Sequence, residues 1–442
     1  MEIACALFAI ELIATIAYQK LKPQRNNTHK KITFLPYTKE EMPETLVTDC
    51  SHPTCLQITH HLKAKGQRAA IEDHNRGDSS TEGVLKSIRN NSTYLTNHKY
   101  VSTNHFDVDS LISVWCFMNQ EKAKQYENII YEIAKIGDFR ELTLNEPYQY
   151  IALRLTCWLN SEERRLFFRA FEGKGYRVIK TINAGTTEEK RVEVDVANDE
   201  SRDETNKLVY FLPLFLDVLE SLASSSPNPL YLAQSEEEYN RVVSGYNLLN
   251  TTDSTTSTVE QYPQIALAIV KTPEPLHYYS LFSATHGLDI ILTIYSGNRY
   301  ELETKYTSHV DLVSRAVLPR VTLIPLAKVL NTLERQLSGH NSYLPYEWKA
   351  DKWFEPGPIL RLEGEYYLTK AERYGSPFER PIFPSLIPPE RMQAIVLSYY
   401  RYAYTGVRAK KNWSTQEYID FNRDIEERLA TGEWTGAATV EV

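Results

Sequence analysis

From residue 45 the apolar positions switch repeatedly between two periods. "TLVTDC" (45–50) and "CLQITHH" (55–61) are short runs rich in β-branched residues that end in polar groups, which predicts two strands whose C-termini meet at one sheet edge. "SSTEGVLKSIRN" (79–90) then changes to helical spacing, with Val84, Leu85 and Ile88 on one face behind a Ser/Thr start. "KYVSTNHF" predicts the next strand and "SLISVWCFM" the next helix. From Asn119, Tyr126, Ile130 and Ile133 keep helical spacing up to Gly137. Strand, strand, helix, strand, helix within a hundred residues predicts an α/β domain with a mainly parallel sheet.

Residues 143–250 are predicted to be helical, in four runs: "YQYIALRLTCWL", "EERRLFFRAF", "KLVYFLPLFLDVLESL" and "SEEEYNRVVSGYNLL". The last opens on a capping box, Ser235 to Glu238. Between the second and third, "GTTEEKRVEVDVANDESRDETN" is expected to be an exposed hairpin or loop with solvated charges. "NTTDSTTSTVEQ" (250–261) is polar and aperiodic, and marks a linker. Beyond it "IALAIVK", "LDIILTIYS" and "RYELETKYT" predict three strands, the last two separated by the turn pair Gly297-Asn298. "IPLAKVLNTLERQL" predicts a helix with Pro325 near its start. A Pro- and aromatic-rich stretch (345–390) follows, and the closing helices include one capped by Ser414 and Glu417. The expected organisation is an apolar helix and linker (1–32), an α/β domain with a helical extension (33–249), the linker, and an α+β domain (262–442).

Composition narrows the function classes. A hydrophobic fraction of 42% with 24% charged residues suits a chain that buries a full core. A net charge of −8 argues against bulk nucleic-acid binding, which needs a basic face, but leaves room for a small phosphorylated molecule or short phosphodiester held by a metal. Five cysteines without a CxxC pair point to a reducing compartment, hence a cytoplasmic placement, and the spacing of Cys50 and Cys55 fits no standard zinc finger. "IACALFAIELIATIAY" (3–18) falls short of the roughly 20 residues of a membrane span. Glu11 interrupts it, and no basic n-region precedes it. It is expected to be an amphipathic or partner-packing helix, with membrane contact or a signal-anchor as the other reading.

The candidate chemistry centres on "TNHFDVDSLISVW" (103–115). In an extended segment His105, Asp107 and Asp109 share one side, and two carboxylates with one imidazole suit a divalent cation, Mn²⁺ or Mg²⁺. The plainer reading is helix capping by Asp109 or Ser110. Upstream, Asp49 and His60-His61 end the two predicted strands, and "DSSTE" (78–82) opens the helix between them and this segment.

Together these pieces resemble the DHH phosphoesterase superfamily. "NHFDVDSLISVW" looks like its "DFDVDG" segment, Asp49 like its lone aspartate, "ITHH" like its Asp-His-His, and "SSTEGVL" like its Ser-Ser-Thr helix start. The order is circularly permuted, Thr59 stands where that family has Asp, and Ser110 where it has Gly. A second resemblance covers about residues 45 to 335. "DSSTEGVL", "NHFDVDSL", "IGDFRE" and "YELETKYTSHVDLVSRAVLPRVTLIPLAKVLN" look like an uncharacterised family that pairs a His-Phe-Asp-x-Asp segment with a downstream SR…PR.DL..LA..LN signature. His309 replaces its usual Trp.

The DHH resemblance implies metal-dependent phosphoester hydrolysis, with Asp49, His105, Asp107 and Asp109 as metal ligands and Asp107, His60 and His61 as the catalytic set. It also implies that Arg315 or Arg320 orients the anionic substrate, the alternative being a salt bridge between domains. The rival reading is a non-catalytic protein that keeps the fold and binds a ligand or partner; Thr59, Ser110 and His309 favour it. A facial triad of His105, Asp107 and His277, His286 or His309 is a further alternative, and the helix expected after Ser110 counts against it. Asp138, in "GDFRE", is expected either to make a turn or to reach the metal edge.

Overall fold

The structure is a computed structural model that describes residues 32–61, 73–168, 172–183, 186–197, 204–250, 256–339, 345–355, 357, 359–364, 375–411, 413–430 and 434. The apolar segment 3–18 lies outside these. Among the described residues, no helix is long and apolar enough to cross a membrane.

The chain is α/β. Its first sheet holds β1 (Thr33–Phe34), β2 (Thr45–Thr48), β3 (Leu56–Ile58) and β4 (Tyr100–Ser102), in the order β1-β4-β2-β3 with every pair parallel. β2 lies inside and is buried along its whole length, which a continuous "TLVT" run allows and an alternating one would not. Seven residues connect β2 to its parallel neighbour β3, far fewer than a helical crossover uses. His52 holds this short link: its Nδ1 accepts from the Thr54 and Cys55 amides at 3.2 and 3.1 Å, and its Nε2 lies 3.0 Å from the Thr38 carbonyl.

Helices α1 (Ser80–Arg89), α2 (Tyr94–Asn97), α3 (Val108–Met118), α4 (Gln120–Gln125) and α5 (Glu127–Phe139) accompany the sheet, with α1 and α3 packed on its strands and α5 packed on those two helices. Val84, Leu85 and Ile88 of α1 share one core with Leu46, Ile58 and Val101 of the strands and with Leu111, Ile112 and Trp115 of α3. The run from Asn119 is two helices, broken at Tyr126.

The helical middle is α6 (Pro147–Glu163), α7 (Glu204–Leu222) and α8 (Pro229–Asn250), with a hairpin of β5 (Glu172–Asn183) and β6 (Thr186–Ala197) between the first two. α8 begins at Pro229, ahead of the capping box expected at Ser235. Ser235 is buried inside the helix, and its hydroxyl donates to the Tyr231 and Leu232 carbonyls. Trp115 meets Phe215 edge-on at 4.9 Å, which joins the middle helices to the same core.

The second sheet contains β7 (Thr258–Tyr262), β8 (Leu267–Thr272), β9 (Ile290–Tyr295), β10 (Arg299–Thr304), β11 (Glu347–Ala350) and β12 (Ile359–Glu363), in the order β11-β12-β10-β9-β8-β7. Residues 258–261, part of the stretch expected to be a linker, are thus strand. Only β8 and β9 pair in parallel, and α9 (Tyr278–Ser283) lies in their crossover. Gly297 and Asn298 both take positive φ in the β9–β10 turn, as residues of these types do at little cost. α10 (Ile324–Leu337) and α11 (Pro389–Ala403) share the core of this sheet. α12 (Thr415–Ala430) opens on the expected box, with Glu417 accepting from the Ser414 amide at 2.9 Å.

Residues 310–314 cross the end of β3 and tie the two halves together. The Asp311 amide donates to the His60 carbonyl at 2.9 Å, Val310 bridges to His61, and Asp78 Oδ1 accepts from the Val313 and Ser314 amides at 2.6 and 2.9 Å. Arg76 pairs with Asp311 at 3.2 Å.

Candidate metal centre

The carboxyl ends of β2, β3 and β4 converge, the position at which parallel α/β sheets place their ligands. Asp49 follows β2 at φ 56°, in the left-handed region that aspartate tolerates better than most residues. This turn directs its carboxylate inward, where it is 1% exposed. His60 and His61 follow β3. His61 Nε2 lies 3.2 Å from Asp49 Oδ1, and His105, beyond β4, brings Nε2 to 3.3 Å from Asp49 Oδ2. His60 Nδ1 lies 3.6 Å from Asp49 Oδ1 and 3.7 Å from Asp109 Oδ2.

His105, Asp107 and Asp109 reach this place by another route than strand alternation. β4 ends at Ser102, and Asp107 is the N-cap of α3: its Oδ1 accepts from the Ser110 amide at 2.8 Å, and Ser110 Oγ accepts from the Asp107 amide at 2.9 Å. Its other oxygen faces His105 Nε2 at 3.1 Å. Asp109 sits in the first turn of the helix, fully buried, and accepts from the amides of Ser80 (2.8 Å) and Thr81 (3.0 Å) at the start of α1. A carboxylate at a helix N-terminus satisfies amides that would otherwise lack partners. Capping and clustering therefore coexist: Asp107 caps, while Asp109 joins α3 to α1.

Ser80 links the rest, with Oγ donating to Asp49 Oδ1 at 2.8 Å and lying 3.0 Å from His60 Nδ1. Asp138, at the end of α5, places Oδ2 3.2 Å from His60 Nε2. Thr59, which stands at the Asp of Asp-His-His, accepts from the His61 amide at 3.2 Å and shapes the turn.

The donors form two triads that share one carboxylate: Asp49, His61 and His105; and Asp49, His60 and Asp109. Within each, the atoms lie within 4.8 Å of one another. Asp49 Oδ2, His60 Nε2 and Asp138 Oδ2 are buried without a hydrogen-bond partner. Asp49 Oδ2 faces His105 at 3.3 Å and His60 Nε2 faces Asp138 Oδ2 at 3.2 Å, contacts outside hydrogen-bond geometry that a cation held among them would satisfy.

The electrostatics are those of crowded, dry charges. Burial works to raise the Asp49 carboxyl, but His61 and His105 outweigh it and hold it well below the usual range. Burial and the neighbouring Asp49 push Asp109 up to about 7, and burial with Asp109 and Asp49 pushes Asp138 well above its ordinary value. Burial and His61 bring His60 down to about 4. In His61 and His105 burial opposes the charge, yet the carboxylates beside them win: Asp49 for His61, and Asp107 then Asp49 for His105, so both imidazoles are raised.

A cleft of about 340 Å³ opens beside the cluster. His61, His105, Asp107 and Asp138 line one side; Arg140, Phe282, Lys305 and Tyr306 are among the residues that complete it. Arg315 does not line it: it forms a bidentate pair with Asp289, with Nη1 to Oδ2 at 3.0 Å. Arg320 is 2% exposed and donates to Ser308 Oγ (2.8 Å), to the Lys305 carbonyl (3.1 Å) and to the Glu355 carbonyl. The structure thus brings together Asp49, His60, His61, His105, Asp107 and Asp109, and gives the two arginines protein partners.

His277 caps α9 and faces Glu238 at 3.3 Å, and His286 binds the Leu142 carbonyl, so neither joins His105 and Asp107. The His309 side chain lies outside the described residues. Sequence reasoning missed Tyr306, whose hydroxyl lies 2.8 Å from His61 Nδ1. No local motif marks it, because its role arises only when the two halves dock.

A model of a family of unknown function matches residues 30–178 and 168–411, a span that holds every residue of the cluster and the cleft. Comparison with curated proteins and with solved structures returned no match.

Proposed function

The chain belongs to the family of unknown function DUF6687, and we propose that it is a divalent-metal-dependent phosphoester hydrolase acting on a small phosphorylated molecule or short phosphodiester. The observation that carries this reading is the pair of triads sharing Asp49, with buried donor atoms that make no hydrogen bond at a parallel sheet's carboxyl edge. Asp49, His61 and His105 would hold one ion; Asp49, His60 and Asp109 the other. Mixed carboxylate and imidazole donors favour Mn²⁺ over Mg²⁺. When bound, two such ions polarise a phosphoryl oxygen, lower the pKa of water and clamp both ends of an in-line displacement.

The chain's own groups prepare the site. Ser80 and the α1 amides fix Asp49 and Asp109, and the capping box fixes Asp107, whose other oxygen meets His105 at the nitrogen that also faces Asp49. Arg140 and Lys305 line the cleft, but Arg140 pairs with Glu303 at 2.8 Å and the buried Lys305 donates to the Thr285 carbonyl at 2.8 Å, so an anionic substrate would compete with these partners for them. Ser110 and Thr59 hydrogen-bond within the site's own turns, so these two departures from the DHH pattern leave the donor set standing.

The test is Mn²⁺ titration of chelator-stripped protein, followed by a screen of phosphomonoesters and short phosphodiesters. Two bound ions with metal-dependent phosphate release support the reading. Two ions without turnover on any substrate would favour the non-catalytic binding protein, and no bound ion would end both metal readings.

A further inference from the structure

We propose that the C-terminal half completes the metal centre through Tyr306, a positioning residue that sets the orientation and tautomer of His61. This rests on the two-ion reading above.

A histidine that binds a metal through one nitrogen almost always uses the other to fix its ring, and losing that outer partner typically costs 10–100-fold in metal affinity. His61 has this arrangement. Its Nε2 faces Asp49, 3.2 Å from Oδ1 and 3.0 Å from the backbone carbonyl, while the Tyr306 hydroxyl meets Nδ1 at 2.8 Å. The two rings stand near-perpendicular, with centroids 6.2 Å apart. The carbonyl contact requires the proton on Nε2 in the metal-free chain, with Tyr306 donating to Nδ1. A ligating His61 instead needs the lone pair on Nε2 and the proton on Nδ1. A phenol hydroxyl donates or accepts, so Tyr306 keeps its hydrogen bond in both tautomers. Phenylalanine would keep the ring and lose the bond.

Tyr306 is itself held in place. It opens the turn Tyr306–His309 after β10, and Arg320 ties that turn down through Ser308 Oγ and the Lys305 carbonyl. Tyr418 adds a hydrogen bond to the Ser308 carbonyl at 2.6 Å. On the other side, the Val310 bridge to His61 and the Asp311 bond to the His60 carbonyl set the register between the turn and the two histidines. Arg320 therefore serves the site from behind, through Tyr306.

The experiment is calorimetric Mn²⁺ titration of four full-length, chelator-stripped proteins: wild type, Tyr306→Phe, His61→Ala and the double variant. We expect Tyr306→Phe to weaken one of the two ions about 10-fold and to leave the other unchanged. On the His61→Ala background the same substitution should change nothing, since its effect passes through that imidazole. Equal affinity in wild type and Tyr306→Phe overturns the inference while leaving the two-ion reading intact. A loss that persists without His61 also overturns it, because the effect would then come from packing. No Mn²⁺ bound by the wild type would overturn the two-ion reading and this inference with it.

Discussion

His60 and Asp138 face each other at 3.2 Å, Nε2 to Oδ2, and neither atom has a hydrogen-bond partner. They come from the end of β3 and the end of α5, elements about eighty residues apart in the chain. Burial leads both shifts: it lowers the imidazole and raises the carboxyl, so both groups tend toward neutrality without a cation. A divalent ion reverses that preference for the carboxyl, which it favours as carboxylate, and reinforces it for the imidazole, whose neutral form offers a lone pair.

This predicts a pH dependence in chelator-stripped protein. Asp109 keeps its proton to about pH 7 when folded and loses it near 3.8 when unfolded, so between these values the folded state binds more protons and stability falls as pH rises. His60 works the other way, from about 4 folded to 6.5 unfolded, and adds stability as pH rises through that window. The Asp109→Asn variant separates the two. Wild-type stability minus variant stability should fall from pH 4 to pH 7 in thermal melts, and saturating Mn²⁺ should remove that slope. A flat difference without metal would refute it.

Sharing of Asp49 predicts an asymmetry in stoichiometry. Asp49→Asn removes a ligand from both triads and should abolish both ions, whereas His105→Ala should lose one and keep the other. Asp107→Asn keeps a good N-cap, because asparagine caps as well as aspartate. Its melting temperature should match wild type, and any loss of Mn²⁺ should be confined to the His105 ion. Metal analysis after desalting counts the ions directly. Two ions retained by Asp49→Asn would show that the triads are not the binding site.

Arg315 separates a structural from a substrate role. Its bidentate partner Asp289 is 3% exposed and also accepts from Thr307 at 2.6 Å. Arg315→Ala leaves a buried carboxylate without its cation. For a fully buried pair that costs about 3–5 kcal/mol, and with the guanidinium a quarter exposed we expect about 2 kcal/mol. Urea denaturation should show this loss while Mn²⁺ stoichiometry stays at two. Wild-type stability with a raised KM for a phosphoester would return the residue to a substrate role.

The alternation of His105, Asp107 and Asp109 picked out three residues that the fold brings to one sheet edge, but through an incomplete geometry. A period of two holds only in extended chain, and α3 begins at Val108, so Asp109 is turned onto the α1 N-terminus rather than beside Asp107. The polar strand ends Asp49 and His60-His61 were legible because apolar parallel strands must stop at their edge. Asp138 was ambiguous, since a carboxylate after a helical glycine reads as a turn until α5 is packed against β3. The positions that Arg320 and Tyr306 take were not legible. A buried arginine that binds carbonyls and a tyrosine whose hydroxyl meets a histidine carry no spacing signature; Tyr306 finds His61 245 residues away, and Arg320 holds the turn that carries Tyr306.

The docking of the halves yields the last prediction. Asp78 Oδ1 accepts from the amides of Val313 and Ser314 just before Ser79 caps α1, so one carboxylate ties the crossing segment to the helix whose amides hold Asp109. Asp78→Ala leaves those two amides without their acceptor, at about 1–3 kcal/mol for each group that stays dry and much less where water replaces it. Because Ser314 is exposed, we expect a total near the low end, about 1–2 kcal/mol. Hydrogen exchange should accelerate across 310–314, while the core strands β2 and β9 keep wild-type protection, as expected of a local opening. Exchange in 310–314 unchanged from wild type would mean that Arg76 with Asp311 and the His60 carbonyl contact hold the segment without Asp78.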